Sequence, residues 1–356
     1  MSDNYQDQVK LTMNERADAL VEKMPYFAAK FFDNIRTSKS PRTRLQYAYD
    51  INKFFNYLAG TPGFKNKDIQ TMSASEVLGV LSVEDMQEYI NTFVAYQKSN
   101  SHQNAYSNDT IARNISSLRT FFRFYQMIHD IPQNVCDFLG SPKISDKQTI
   151  VLNQEQVSRL LATVVSEDGM SKKEIIAHKH TCYRDLAIIS LALGTGLRVS
   201  EIVGINIEDV DFHNASIWVN RKGTGRDYVY FSFIVERALH DYINTERNSL
   251  FSPSSPTDAL FLSLKHKRMS TNSIELMIKK HAMRAGLSAD VTPHALRRSF
   301  GTALYEQTGD IYLVADALHH KSIDTTKNYY ARMPDQHKRD AARTADVLFG
   351  NDVKKE

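Results

Sequence analysis

The chain has 356 residues, of which 24% are charged and 42% apolar, and its formal net charge is +3. This length is enough for two domains, and the composition is that of a globular protein with a substantial core. No apolar run approaches the roughly 18 residues of a membrane span, Met1–Lys10 is too polar for a signal peptide, and the two cysteines, Cys136 and Cys182, imply no disulfide framework. We therefore expect a protein of the reducing cytoplasm without a membrane partner.

The distribution of charge is more informative than the net charge. Between Arg36 and Lys53 five basic residues accompany a single acid, and between Lys265 and Arg298 eight basic residues accompany two acids. Such patches suit a polyanionic partner, although a solvated basic face explains either patch taken alone.

The N-terminal half predicts a small bundle of helices over residues 24–140. Residues 1–23 are polar, and the sequence leaves open whether they form a loose leader or a short helix. Pro41 opens a helix with apolar residues at three- to four-residue intervals, Ser82 is the cap of a second helix, and a third runs over about 107–130. We expect basic side chains on the outer faces of this bundle.

The stretch GSPKISDKQT at 140–149 mixes glycine, proline, serine and charge without an apolar period, and it predicts a linker at about residues 141–150. Asn153 caps the next predicted helix, and residues 166–180 are predicted to be a polar loop. His178 and His180 in this loop suggest metal ligands by residue type, but they lack partners at a metal-binding spacing. We expect no metal site.

A buried helix predicted over residues 185–193 runs into the sequence GTG, and Arg198 follows this turn at the start of another helix. An arginine fixed there presents a forked donor to a phosphate or a carboxylate. An ion pair with Glu201, three residues later, is the alternative.

A β-hairpin follows, with strands predicted at 215–219 and 227–231 and with Lys222 in its glycine-containing loop. A lysine at a hairpin tip is usually only solvated. Further helices are predicted at about 233–248 and 271–285.

Pro293 suits the first turn of a helix, which places His294 and Arg297 on one face, one turn apart. His320 and the pair Tyr329-Tyr330 come next. The order of these residues resembles the tyrosine recombinase (phage integrase) family, and compact Xer-like members in particular. The segments that carry the resemblance are GTGLRVSEIVGI at 194–205, RKGTGRDYVYF at 221–231, LFLSLKHKRMSTNSIELMIKKHAMRAGL at 260–287, PHALRRSFGT at 293–302 and ALHHKSIDTTKNYYAR at 317–332.

The resemblance implies a mainly α fold with a small β-hairpin or sheet. It implies an α+β catalytic domain over 151–334, preceded by a helical core-binding domain, and the two are expected to form a clamp around DNA. The tail, residues 335–356, is expected either to dock on a neighbouring protomer or to pack on its own domain.

The resemblance also implies roles for six catalytic residues: Arg198, Lys222, His294, Arg297, His320 and Tyr329. The two arginines and His320 would neutralise the phosphate, His294 would act as base or orienting group, and Lys222 would protonate the leaving 5′-oxygen. Tyr329 would be the nucleophile, and Glu201 would orient Arg198 or His294. No metal, ATP or other cofactor follows from this scheme. Arg221 and His319 stand where the family usually has glycine, and Arg298 stands where a second histidine is common.

The function that we expect is site-specific recombination through a 3′-phosphotyrosyl intermediate and a Holliday junction, in chromosome-dimer resolution or mobile-element integration. The expected partners are duplex DNA with inverted half-sites, further copies of the chain (a dimer per site and a tetramer in the synapse), and a sister recombinase or a cell-division translocase. Expected DNA contacts are Arg42, Arg44, Arg113, Arg119 and Arg268. The alternatives are a nicking-closing enzyme of the type IB topoisomerase kind and a DNA-binding protein without catalysis.

Overall fold

A computed structural model of the chain describes residues 5–99, 106–143, 150–221, 225–253 and 257–319. The chain divides into two compact units, Met1–Lys147 and Gln148–Glu356. Among the helices within these described ranges, none is both long enough and apolar enough to cross a membrane.

The first unit is helical throughout its described part. Its helices are α1 (Tyr5–Val21), α2 (Ala28–Asn34), α3 (Pro41–Leu58), α4 (Ala74–Val77), α5 (Val83–Ser99) and α6 (Asn108–Met127), followed by a 3₁₀ turn at Val135–Phe138. The three predicted helices correspond to α3, α5 and α6. The segment that the sequence left open as a leader or a helix is helical over most of its length and packs against α3.

Local capping explains where these helices begin. Ser40 Oγ accepts a hydrogen bond from the Thr43 N–H at 3.2 Å, with Pro41 in the first turn of α3. Ser82 Oγ accepts from the Asp85 N–H at 3.1 Å, and the Asp85 carboxylate accepts from the Ser82 N–H at 2.8 Å. Each bond satisfies a backbone donor that has no partner within the helix.

Aromatic side chains fill the core of the first unit. The Phe31 ring lies edge-on to Phe121, with centroids 5.1 Å apart, and Phe27 meets Tyr125 in the same way at 5.4 Å. The buried Tyr125 hydroxyl donates to the Phe27 carbonyl at 2.6 Å, so the ring is buried without an unpaired polar group.

The second unit combines helices with one small sheet. Its helices are α7 (Gln154–Val165), α8 (Lys172–His178), α9 (Cys182–Thr195), α10 (Val199–Gly204), α11 (Phe233–Tyr242), α12 (Asn248–Leu250), α13 (Thr271–Arg284), α14 (Pro293–Thr308) and α15 (Ile311–Ala317). A π-helical turn, Ile243–Arg247, joins α11 to α12.

Helix α8 corrects the prediction of a polar loop over 166–180. Ser171 caps it: the Glu174 carboxylate accepts from the Ser171 N–H at 3.0 Å, and Lys280 lies 3.0 Å from the same side chain. The backbone N–H of Ser171 is the main reason why the pKa of Glu174 falls to about 2. The Ser-x-x-Glu spacing is a capping-box signature, and it was the local signal for this helix.

The sheet is antiparallel and has the order β1-β2-β3, with β1 at Val210–Asp211, β2 at Ser216–Arg221 and β3 at Gly225–Tyr230. Strands β2 and β3 form the predicted hairpin, shifted by one or two residues. Strand β1 was not predicted, since two residues are too few to show a period. Ile217 and Val219 face the core, as expected from the alternation of side chains along a strand.

A buried polar cluster fixes the start of α9. The Glu246 carboxylate accepts from the backbone N–H groups of Tyr183 and Arg184 at 3.0 and 2.8 Å. Asp185 pairs with Arg184 at 2.7 Å and with His281 Nε2 at 3.0 Å. These bonds anchor the helix whose other end carries the candidate site.

Candidate active site

The candidate site begins at Gly196, where α9 ends in a left-handed residue with φ of 63°. A Cβ atom at this position would lie 2.5 Å from the Phe300 ring and 2.7 Å from a methyl group of Leu318. Both the backbone conformation and the close approach therefore require glycine. The chain reverses here and continues into Arg198 within two residues.

Arg198 is the N-cap residue of α10 and is held by Glu201. One Glu201 carboxylate oxygen accepts from the Arg198 N–H at 2.8 Å, and the other accepts from Arg198 Nη1 at 2.9 Å. The ion pair that the sequence offered as an alternative is thus present, with Glu201 buried and 41% of the Arg198 side chain still exposed. The pair orients the guanidinium without covering it.

Helix α14 carries His294 and Arg297 one turn apart, as predicted, with Thr292 Oγ1 accepting from the Ala295 N–H at 3.3 Å at its start. Arg297 is buried. Its Nη1 donates to the Gly196 carbonyl at 2.5 Å, and its Nη2 donates to the Leu318 carbonyl. The guanidinium therefore links the start of α14 to the C-terminal ends of α9 and α15 by hydrogen bonds.

The His294 side chain is exposed, although the neighbouring protein still removes part of its hydration. This partial desolvation lowers its pKa below the ordinary value, and the positive charges of Arg298, Arg297 and Arg198 lower it further. The structure thus brings Arg198, His294 and Arg297 within electrostatic range of one another. The guanidinium groups suit an anionic phosphate, and the neutral imidazole beside them can accept a proton from a hydroxyl group that attacks the phosphate.

Three predicted catalytic residues, Lys222, His320 and Tyr329, lie outside the described residues, and their roles stay predictions. Among the described ranges, no group of three or more acidic, histidine or cysteine side chains has an arrangement that fits a metal ion.

The five predicted DNA contacts fall into two groups. Arg42 and Arg113 are exposed. The structure speaks against Arg44 as a DNA contact, because it is 2% exposed and pairs with the Asp18 carboxylate. The guanidinium groups of Arg119 and Arg268 are likewise engaged inside the protein: Arg119 donates to the carbonyls of Cys136 and Leu139, and Arg268 donates to those of Val203 and Ile205.

A polar groove on α3 and α6 was missed by the sequence analysis. It has a volume of about 370 Å³, and its lining includes Gln46, Tyr49, Asn52, Lys53, Asn56 and Arg113. Lys53 Nζ lies 2.5 Å from the Tyr106 hydroxyl and 4.1 Å from the centre of the Phe93 ring. The signal was present as polar residues at three- and four-residue intervals along α3, opposite its apolar face.

Comparison with known families agrees with this geometry. The phage integrase family matches residues 151–337, and the phage integrase N-terminal SAM-like domain matches residues 29–126. The tyrosine recombinase XerC of Alcanivorax borkumensis is 30% identical over 289 residues, which cover 78% of this chain and 88% of that protein. The XerC of Caldanaerobacter subterraneus subsp. tengcongensis is 30% identical over 318 residues, covering 86% and 83%.

Two solved structures share the fold. The Tn1549 transposon integrase in complex with circular intermediate DNA has a TM-score of 0.63 at 19% identity, covering 89% of this chain and 99% of that one. The XerH recombinase bound to its difH substrate, in a post-cleavage complex, has a TM-score of 0.62 at 21% identity, covering 88% and 83%. The family match extends over more than half of the sequence and includes all the residues of the candidate site, and the chain belongs to the phage integrase family of tyrosine recombinases.

Proposed function

We propose that the chain is a site-specific recombinase that cleaves and rejoins duplex DNA through a covalent 3′-phosphotyrosyl intermediate. The observation that carries this proposal is the convergence of Arg198, His294 and Arg297, with Glu201 buried behind Arg198. The exposed Arg198 guanidinium can donate to a non-bridging oxygen of one phosphodiester, the buried Arg297 adds positive charge near it, and a neutral imidazole lies within electrostatic range of both.

The proposed reaction uses these groups in one displacement. The Tyr329 oxygen attacks phosphorus, so that a phosphorus–tyrosine bond forms as the bond to the 5′-oxygen breaks. The tyrosine proton passes to His294, whose lowered pKa keeps it neutral at neutral pH, and the 5′-oxygen takes a proton from Lys222. Arg198 and Arg297, with His320, offset the developing charge. A 5′-hydroxyl from another strand reverses the step, which therefore needs no ATP.

DNA binding by the first unit is proposed to use the groove on α3 and α6. Arg42, Lys53 and Arg113 supply positive charge for backbone phosphates. The amides of Gln46, Asn52 and Asn56 have the donor and acceptor pairs that read base edges in the major groove. Inverted half-sites and assembly of further copies of the chain on the DNA complete the proposal.

Two biological roles fit this chemistry, namely chromosome-dimer resolution and the integration or excision of a mobile element. A sister recombinase and a cell-division translocase are the predicted partners in the first role. Footprinting on the host genome separates the two roles, because it identifies the bound site.

The experiment that tests the function is covalent trapping on a nicked suicide substrate. The unaltered chain should form a covalent protein–DNA adduct, and Tyr329→Phe should bind the same DNA without forming one. Tyr330→Phe is the matched control and should keep the adduct. If Tyr330→Phe alone abolishes the adduct, the nucleophile is misassigned. If the unaltered chain forms no adduct on its footprinted site, the recombinase proposal fails.

A further inference from the structure

We propose that Asp227 is a positioning residue. Its carboxylate pairs with Arg221 and His319, which directly precede Lys222 and His320 in the sequence, and it thereby ties the strand pair to the end of α15 and to Arg198. The inference rests on the proposed function. It assigns a role to the two positions, 221 and 319, at which this sequence departs from the glycines usual in its family.

The first contact lies within the hairpin. Arg221 ends β2 and is buried, and Asp227 lies on β3 opposite Val219, which makes the two side chains diagonal neighbours across the strand pair. Arg221 Nε is 2.9 Å from Asp227 Oδ2. The N–H does not point along this line, so the contact is an ion pair rather than an aligned hydrogen bond. The pair joins the two strands at Arg221, the residue directly before Lys222 in the sequence.

The second contact joins the hairpin to α15. His319 Nδ1 lies 3.8 Å from the same Asp227 oxygen, a distance that gives an ion pair when the imidazole is protonated. The His319 carbonyl accepts from Arg198 Nη2 at 3.3 Å. His319 therefore connects the Asp227 carboxylate to Arg198, and His320 follows it directly in the sequence.

The backbone of His319 accommodates glycine as well as histidine. Its φ is 52°, in the left-handed region that favours glycine and that histidine enters more often than most other residues; His129 and His266 have the same conformation, with φ of 60° and 57°. Glycine at 319 would relieve the backbone but remove the imidazole, and glycine at 221 would remove the guanidinium from the same carboxylate.

The proposal predicts that loss of the Asp227 charge slows cleavage in the same way as loss of the proton donor Lys222. Asp227→Asn keeps the size of the side chain and removes its charge, so the hairpin loses its ionic tie. Cleavage of a suicide substrate with the ordinary 5′-oxygen should slow by about 10-fold to 100-fold, the order expected for a catalytic group misplaced by about 1 Å. A substrate with a 5′-bridging sulfur has a thiolate leaving group, which departs without a proton. On this substrate Asp227→Asn should recover most of the rate. Asp227→Glu should recover part of it on the oxygen substrate.

The matched control is Asp211→Asn, which removes a carboxylate from β1 that is bonded within its own turn to Asn214, and it should cleave both substrates normally. A cycle with Lys222→Ala isolates the positioning role, because Asp227→Asn should add no further defect once Lys222 is absent. A multiplicative defect in the double variant overturns the inference, as does an equal defect on both substrates with a lowered Tm. Absence of any adduct with the unaltered chain instead refutes the proposed function.

Discussion

Gly196 and Gly286 offer a matched pair at the residue scale. Both have left-handed backbones, with φ of 63° and 66°, but only Gly196 is packed against other side chains. Gly286→Ala should lower the free energy of unfolding by about 1–2 kcal/mol, the cost of an alanine in this conformation. Gly196→Ala should cost about 1–3 kcal/mol more, because its Cβ meets Phe300 and Leu318. Urea unfolding measures both values, and equal losses would show that the contact at Gly196 is unimportant.

Burial of His178 predicts how stability depends on pH. Burial lowers its pKa below the ordinary 6.5, and the charges of Arg284 and His281 act in the same direction, against a hydrogen bond with Val165 and the charge of Asp185. The unfolded chain therefore takes up the proton first as pH falls. The contribution of neutral His178 to the free energy of unfolding is complete above about pH 6.5, the pKa in the unfolded chain. It is lost as the pH falls from that value through the lower pKa of the folded state.

The measurement compares unfolding free energies at about pH 7.5 and about pH 5.5. His178→Gln should reduce the loss of stability on acidification, whatever it does to stability at the higher pH. His180→Gln is the matched control, because His180 is exposed, and it should leave the loss unchanged. If His178→Gln loses as much unfolding free energy on acidification as the unaltered chain, another buried group causes the pH dependence.

At the scale of the element, α6 separates two arginines that look equivalent in sequence. Arg113 is exposed in the groove, 3.6 Å from Asp50, whereas Arg119 Nε donates to the Cys136 carbonyl at 2.9 Å. Arg113→Gln should weaken DNA binding and reduce the slope of log K against log salt by about 1, with stability lowered by no more than about 1 kcal/mol through loss of the pair with Asp50. Arg119→Gln should instead lower stability by about 1–3 kcal/mol and keep the slope.

Salt titration of half-site binding and urea unfolding, run on the same preparations, separate these two roles. Arg123 is a third arginine on α6, exposed and paired with Asp137 at 3.1 Å, and Arg123→Gln serves as the control for loss of one surface charge. Its effect on stability should be below about 1 kcal/mol, as for other surface ion pairs. An Arg119→Gln protein that loses a unit of slope but no stability would return Arg119 to the DNA interface.

At the scale of the whole molecule, the proposed recombination would couple the activities of several copies of the chain bound to one DNA. The segment 336–356 lies outside the described residues, and its exchange between protomers is a prediction from sequence. Burial of Val347, Leu348 and Phe349 in a neighbour would contribute roughly 1.5–3 kcal/mol each before ordering costs. Deletion of 336–356 should leave binding to one half-site nearly intact while reducing cooperative binding and recombination between two sites.

Gel-shift titration on half-sites and full sites measures this cooperativity directly. Replacing Val347, Leu348 and Phe349 by serine in the full-length chain should reproduce the deletion, whereas Lys354→Ser with Lys355→Ser should not. Normal recombination by the truncated chain, or loss of half-site binding together with cooperativity, would count against an exchanged tail.

Local interactions explain what the sequence determined by itself. Caps at Ser40, Ser82 and Ser107 act over three residues, and apolar periods act over one helical turn, so the main helices of the first unit and the hairpin were predictable. The same range places His294 and Arg297 on one face. Helix α8 was predictable from its capping box as well, although the polarity of the segment concealed it.

Only the tertiary structure decided which charged groups are available for function. Arg297 donates to the Gly196 carbonyl, 101 residues earlier in the sequence, and this contact brings its charge into the candidate site. Arg268 instead donates to the Val203 carbonyl, 65 residues earlier, and its guanidinium is engaged inside the protein. Arg221 and His319, from distant parts of the chain, meet at one carboxylate. An arginine in a sequence looks the same whether its guanidinium faces solvent or satisfies buried carbonyls, because the partners that decide between these outcomes are brought together only by folding.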